Sequence, residues 1–249
     1  MEREQLIRYS RQIMLPQLGP EGQEKLLASH AVLIGAGGLG SIVAMYLAAL
    51  GVGRLTIADG DRVELTNLHR QLLHGTADIG RPKVESATDT LNRINPEISI
   101  QTIDQRLEGE ALRGAVEASD VVVDGSDNFA TRFAVNEACV KFRKPLVSGA
   151  AVRLEGQITV IRPDQPDSPC YRCLYKDGSD IAETCAANGV LPPVVGTIGS
   201  LQAIEAVKVL VGMGETLRSR LLVFDALTME WRSLRFRRDP ACPVCAATP

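Results

Sequence analysis

Six cysteines stand out in a chain of 249 residues, and four of them form two C-x-x-C pairs, Cys170-Tyr-Arg-Cys173 and Cys242-Pro-Val-Cys245. Each pair can offer two thiolates to one metal ion, and four thiolates satisfy tetrahedral zinc. The two pairs are far apart in sequence, unlike the ligands of a zinc finger. Such a site would clip the C-terminal end of the chain back to its middle and would have no open position for catalysis. Two disulfides are disfavoured in a reducing compartment, and redox motifs require a thioredoxin-like context that neither pair has. Cys139 sits among apolar helical residues and reads as a small core side chain. Cys185 lies in the irregular stretch Glu183-Thr-Cys-Ala-Ala-Asn-Gly189. A bland surface cysteine and a reactive thiol are equally compatible with that setting.

A second set of residues is charged. Arg11, Asn67, Arg70, Lys83 and Asp127 are spread along the first half of the chain. Two arginines and a lysine are more positive charge than a dinucleotide diphosphate needs; they suit a triphosphate whose transition state must be stabilised. Asp127, followed by Asn128, suits a magnesium ligand, because Mg²⁺ takes a few carboxylates together with phosphate oxygens. There is no G-x-x-x-x-G-K-[ST] loop, so an ordinary P-loop is excluded. Arg11, taken without context, reads as part of a solvated helix face. His69 and His74 gain no catalytic role from position alone.

The element that must gather these charges is Ala31-Val-Leu-Ile-Gly-Ala-Gly-Gly-Leu-Gly40. Val32 to Ile34 reads as a buried parallel strand. Gly35, Gly37 and Gly40 fit G-x-G-x-x-G, with Gly38 as an extra glycine. The first permits the tight turn, the second lets backbone approach a phosphate, and the third lets helix and strand pack closely. An acid is required about 20 residues further on, and Asp59 ends the next apolar run, Leu55-Thr-Ile-Ala.

The same alternation continues. Pro82 opens a helix from Lys83 to Ile94, and Ile98–Ile103 alternates as a strand. Glu108–Ala118 is helical, Asp120–Asp124 is a buried strand, Thr131–Phe142 is helical, and Pro145–Ser148 is a strand. The chain therefore reads as α/β, a Rossmann-like, mostly parallel sheet with helices on both faces. After Ala151 the rhythm changes. Leu154–Ile161 reads as a strand, Pro163–Cys173 as proline-rich loop and Thr197–Leu210 as a helix. Leu221–Asp225 and Trp231–Phe236 read as antiparallel C-terminal strands. We expect one domain over residues 1–249, with a nucleotide-binding half over about 1–150 and a zinc-bearing half over about 151–249.

The bulk numbers exclude several classes. A net charge of −3, with acids and bases interspersed, argues against a generic nucleic-acid or membrane-surface binder. The N-terminus has no signal-peptide pattern and no apolar run reads as long enough to span a bilayer, so we expect a cytoplasmic protein with neither nucleic-acid nor membrane partners.

Taken together, Gly35–Gly40, Asp59, Asn67-Leu-His-Arg-Gln71, Arg81-Pro-Lys83, Asp127-Asn128 and the two C-x-x-C pairs occur in the order seen in the ThiF/MoeB family, which resembles the adenylating half of ubiquitin-activating enzymes. Arg8-Tyr-Ser-Arg-Gln-Ile13 strengthens the match. The resemblance implies an adenylyltransferase that uses ATP with Mg²⁺ on a small β-grasp sulfur-carrier protein ending in Gly-Gly, releasing pyrophosphate, in thiamine or molybdopterin cofactor biosynthesis. It implies that Gly38 and Asp59 bind the nucleotide, that Thr66, Asn67, Leu68, His69, Arg70, Lys83, Asp127 and Asn128 contribute to the ATP site, and that Asp127 holds magnesium. It implies a homodimer in which Arg11 reaches the neighbouring subunit's site, and structural zinc on Cys170, Cys173, Cys242 and Cys245. Cys185 falls where one branch carries a sulfur-transfer thiol. No rhodanese-like segment is fused, so sulfur would come from a separate cysteine desulfurase or rhodanese-like protein. From the glycine fingerprint alone, an NAD(P)-dependent oxidoreductase is the competing reading.

Overall fold

Short β-branched runs with no polar alternation belong where a strand is covered on both faces, and that is where the structure puts them. The computed structural model describes residues 1–176 and 188–246. Five parallel strands form the first part of the sheet: β1 (His30–Ile34), β2 (Arg54–Ala58), β3 (Ser99–Ile103), β4 (Val121–Asp124) and β5 (Leu146–Val152). Three antiparallel strands continue it: β6 (Glu155–Ile161), β7 (Arg220–Asp225) and β8 (Glu230–Arg235). The order is β3-β2-β1-β4-β5-β6-β7-β8, a single sheet.

The period of two along β1 divides the core. Ala31 and Leu33 face one apolar cluster, while Val32 and Ile34 face another on the opposite side. The chain begins with α1 (Arg3–Arg8), α2 (Ser10–Ile13) and α3 (Gly19–Ala28). Helices α4 (Gly38–Leu50) and α5 (Lys83–Ile94) cover the first face with α3. The second face is covered by α6 (Gly109–Glu117) and α7 (Phe129–Phe142). A single helical turn, α8 (Tyr171–Leu174), stands where loop was expected. It packs against α7.

Three expectations are corrected in detail. β5 runs past Ser148 to Val152, because β6 pairs with its whole length, from Leu146 with Ile161 to Val152 with Glu155. The helix expected from Thr197 is α9 (Pro192–Val211) and starts five residues earlier, with prolines in the first turn, where a missing N–H breaks no helical bond. That helix is also long and apolar enough to cross a membrane by length and composition. Here its apolar surface packs against α4 and β5, and Val194, Ile198 and Ala206 are core residues.

Candidate active site

β1 and β4 are neighbours, yet the chain leaves them in opposite directions, to β2 on one side and β5 on the other. A crevice opens beyond their C-terminal ends at this switch point. Its floor is the glycine turn. Gly35 has φ +95°, a conformation that favours glycine. A Cβ at Gly40 would lie 1.9 Å from the Gly35 carbonyl oxygen, so only glycine lets α4 start this close to β1.

Asp59 follows β2 and ties the turn down. Its Oδ2 accepts the Ala36 N–H at 2.7 Å and its Oδ1 accepts the Asp61 N–H at 2.8 Å. Lys83, the first residue of α5, is buried and reaches the same place. Its Nζ lies 2.7 Å from Asp61 Oδ2 and 3.9 Å from Asp59 Oδ2. His74 completes the support. Its Nε2 is 3.1 Å from the Ala36 carbonyl, so that nitrogen carries the proton, and Nδ1 then accepts from Ser86 Oγ at 2.9 Å. Burial is the main cause that lowers the His74 pKa below 6.5.

Arg70 enters from the turn after β2 and is braced by its own segment. It donates to the Thr66 carbonyl at 3.1 Å and to Asn67 Oδ1 at 3.0 Å. From the far wall, the loop after β4 brings Asp127, whose side chain is exposed to the crevice, and Asn128, whose Oδ1 caps α7 by accepting the Thr131 N–H at 2.9 Å. The cavity so formed is about 810 Å³. A glycine turn, four cationic side chains (Arg70, Lys83, Arg106 and Arg132) and the exposed Asp127 carboxylate around a space of this size suit a phosphate-rich anion with a divalent ion.

Gly38, Asp59, Arg70, Lys83, Asp127 and Asn128 all line this cavity. Thr66, Asn67, Leu68 and His69 do not; Thr66 and Asn67 act through Arg70, as the partners that hold its guanidinium. Arg11 is exposed on α2 and is not part of this chain's own cavity wall. Cys185 lies outside the described residues. Sequence reasoning missed Asp61, Asp124 and Arg132. Asp61 stands two residues beyond Asp59 in Asp59-Gly-Asp61, and its carboxylate is the nearest partner of Lys83. Arg132 follows Asn128 by one helical turn, a spacing that could have marked it as facing the same loop. Asp124 is fully buried at the end of β4, and burial, first among the causes, raises its pKa.

The four cysteines converge at the edge of the second face. Cys170 Sγ lies 4.0 Å from Cys173 Sγ and 3.6 Å from Cys242 Sγ, and Cys173 Sγ lies 3.4 Å from Cys245 Sγ. All four sulfurs are within 4.8 Å of one another. A tetrahedral ion with bonds near 2.3 Å separates its sulfurs by about 3.8 Å, so the donor set fits zinc. The Asp239 N–H, 3.4 Å from Cys173 Sγ, supplies the kind of outer bond that supports a thiolate ligand.

The chain matches the ThiF family over residues 9–244. It belongs to the ThiF family. Among its ThiF-family relatives is the sulfur carrier protein ThiS adenylyltransferase of Escherichia coli, 47% identical over 97% of this chain and 96% of that one. The molybdopterin-synthase adenylyltransferase of the same organism is 46% identical over 97% of each chain. The SAMP-activating enzyme E1 of Haloferax volcanii is 46% identical over 97% of this chain and 89% of its own. Among solved structures, E. coli MccB with ATP superposes with a TM-score of 0.84 at 27% identity, covering 96% of this chain and 74% of MccB. The ThiF-family resemblance read from the motifs is thus shown over nearly the whole chain, as is the α/β sheet with its antiparallel C-terminal strands.

Proposed function

We propose that this protein is an adenylyltransferase that uses ATP to activate the C-terminal Gly-Gly carboxylate of a small ubiquitin-like sulfur carrier for thiamine or molybdopterin cofactor biosynthesis. The observation that carries the reading is the convergence of Arg70, Lys83 and Asp127 on one cavity beside the glycine turn, in a chain whose relatives are named for this activity.

A carboxylate is already a nucleophile at neutral pH, so no general base is required. Its oxygen attacks the α-phosphorus of ATP in line, a new P–O bond forms, the bond to the β-phosphate oxygen breaks, and pyrophosphate leaves with the electron pair. The protein's contribution is positioning and charge neutralisation. Asp59 would receive the ribose with the lone pairs left over from its two backbone bonds. Arg70 and Lys83 would meet the phosphates, the lysine exchanging part of its hold on Asp61. Asp127 would hold magnesium, which neutralises phosphate charge when bound. Asn128 keeps the start of α7 in place beside it.

Zinc on Cys170, Cys173, Cys242 and Cys245 would be structural, joining the segment after β8 to α8. Arg11, exposed and away from its own cavity, is available to a second subunit, in keeping with a homodimer. The sulfur donor would be a separate protein, a cysteine desulfurase or a rhodanese-like protein, and Cys185 would act, if at all, after activation.

The deciding experiment is exchange of labelled pyrophosphate into ATP with purified Gly-Gly carriers of the thiamine and molybdopterin types. Exchange that requires an intact carrier tail is the expected result. Absence of exchange with every carrier, alongside tight binding of NAD, would sink the proposal.

A further inference from the structure

One buried cation in the cavity wall has no part in the chemistry described so far. Arg132, on the first turn of α7, is 8% exposed and lines the cavity. Its hydrogen bonds go to neutral oxygens. Nε and Nη2 donate to the Ser126 carbonyl at 3.3 and 2.7 Å, Nη2 also reaches the Gly149 carbonyl at 3.5 Å, and Nη1 lies 3.5 Å from the Tyr171 hydroxyl. Its guanidinium also sits 5.7 Å from the centre of the Phe129 ring. Desolvating a guanidinium in this way costs free energy, and the fork is retained where its planar donors hold a specific geometry.

The geometry held is that of one peptide. The Ser126 carbonyl is gripped by Arg132, and the Ser126 N–H donates to Asp124 Oδ1 at 2.9 Å. On the other side of Asp127, Asn128 is fixed as the cap of α7. Asp127 is therefore an exposed side chain on a backbone pinned at both neighbours, by a buried acid and a buried base before it and by a helix cap after it.

We propose that Arg132 is a positioning residue that, with Asp124, holds the Ser126 peptide so that the Asp127 carboxylate meets the divalent ion of the bound nucleotide. This rests on the adenylation reading for its consequence in catalysis, though not for its consequence in metal binding. A carboxylate presented from a fixed backbone loses little freedom when it takes a metal; one on a loose turn must be ordered first. Outer residues that orient a ligand change metal affinity by roughly 10- to 100-fold when removed.

The test compares wild type with Arg132→Met, which keeps the apolar stem, and Arg132→Lys, which keeps the charge but not the fork. Two readouts are taken: free-Mg²⁺ dependence of carrier-dependent pyrophosphate exchange, and Mn²⁺ binding in the presence of ATP, followed by electron paramagnetic resonance. Arg132→Met is expected to raise the half-saturating Mg²⁺ and weaken Mn²⁺ binding by roughly tenfold, with the rate largely restored at saturating Mg²⁺. Arg132→Lys should fall between, and decides the matter should Arg132→Met not fold. A rate lowered equally at all Mg²⁺ concentrations, with Mn²⁺ binding unchanged, would overturn the assignment and leave Arg132 a packing residue. If wild type shows no exchange with any carrier, the adenylation reading fails, and the Mn²⁺ comparison still judges Arg132.

Discussion

The crevice and the cysteine clip are both polar clusters, built on opposite terms. The crevice collects Gly38, Asp59, Arg70, Lys83 and Asp127 from different loops at the ends of the sheet, and leaves Asp127 open to solvent. The clip collects four side chains from two local pairs, with Cys170, Cys242 and Cys245 buried and every sulfur near the other three. In the crevice the fold holds the residues; in the clip the residues hold the fold. Each crevice group keeps capacity for a ligand that comes and goes, whereas four sulfurs around one ion have none. Substitution in the crevice should therefore remove chemistry and spare stability, and substitution in the clip should do the reverse.

The largest departure is expected at Asp127. Its carboxylate is exposed, and among the described residues its one hydrogen bond is a 3.4 Å contact from the Asn128 side chain. Asp127→Ala should lower carrier-dependent pyrophosphate exchange by at least roughly 100-fold, the scale of losing a key charge-stabilising group. The melting temperature should stay within a degree or two. A variant that keeps substantial exchange removes the metal role from Asp127; one that unfolds breaks the contrast itself.

Cys242→Ser probes the other side. Zinc content measured on purified protein should fall from one ion per chain to near none. Loss of a few kcal/mol in a chain of this size corresponds to a drop of roughly 10 °C in melting temperature. At a temperature where the variant is folded, its exchange rate per folded molecule should remain within a fewfold of wild type. Retained zinc would refute the four-cysteine site, and a catalytic collapse in fully folded protein would show that the clip reaches the crevice, for which the path from Cys170 through Tyr171 to Arg132 is the physical route.

How these two clusters read in the sequence also differs. The clip was legible because a C-x-x-C spacing brings two thiols together whatever the fold, and two such pairs complete one tetrahedral site, so the joining of the pairs was expected as well. The crevice was legible in its types, not in its contacts. The glycine spacing, Asp59 at the end of β2 and Asp127 beyond β4 follow from a strand-turn-helix rhythm. Asn67 carries the resemblance and Thr66 is implied by it, yet both brace Arg70 rather than face the cavity. Asp61, Asp124 and Arg132 were missed because their roles depend on which loop lies opposite, a matter of strand order that local pattern does not encode. The same limit applies to α9, whose apolar length is explained by α4 and β5 on either side of it.

A smaller effect is expected from Lys83→Met. The ammonium is buried between Asp59 and Asp61, and removing it leaves two carboxylates facing the incoming phosphates. The kcat/KM for ATP should fall roughly 10- to 100-fold, about 1.4–2.7 kcal/mol, with KM taking a visible share of the change. An effect confined to kcat would mean that the lysine acts only in the transition state. The half-buried, half-solvated setting of this pair is what separates it from the clip, where the corresponding loss appears as stability.

The smallest effect is a dependence of stability on pH, and it tests whether the crevice contributes to stability at all. His74 is neutral in the fold, bonded between the Ala36 carbonyl and Ser86, and burial holds its pKa below 6.5. An unfolded histidine takes up a proton near pH 6.5, before the folded one does, so the unfolded state binds more protons there. The contribution of His74 is fully present above pH 6.5 and is lost as pH falls from 6.5 toward the lowered folded pKa, with a slope of at most about 1.4 kcal/mol per pH unit for one group. His30, lowered chiefly by burial as well, adds a slope of the same sign. Urea unfolding at pH 7.5, 6.5 and 5.5 should show wild type weakening across this range and His74→Gln weakening less. Acid also protonates thiolates and releases zinc, which would mimic the effect from the clip. The comparison therefore belongs in the Cys242→Ser background, where that contribution is gone. If the His74→Gln difference disappears there, the pH dependence resides in the clip, and the crevice can be substituted without cost to the fold.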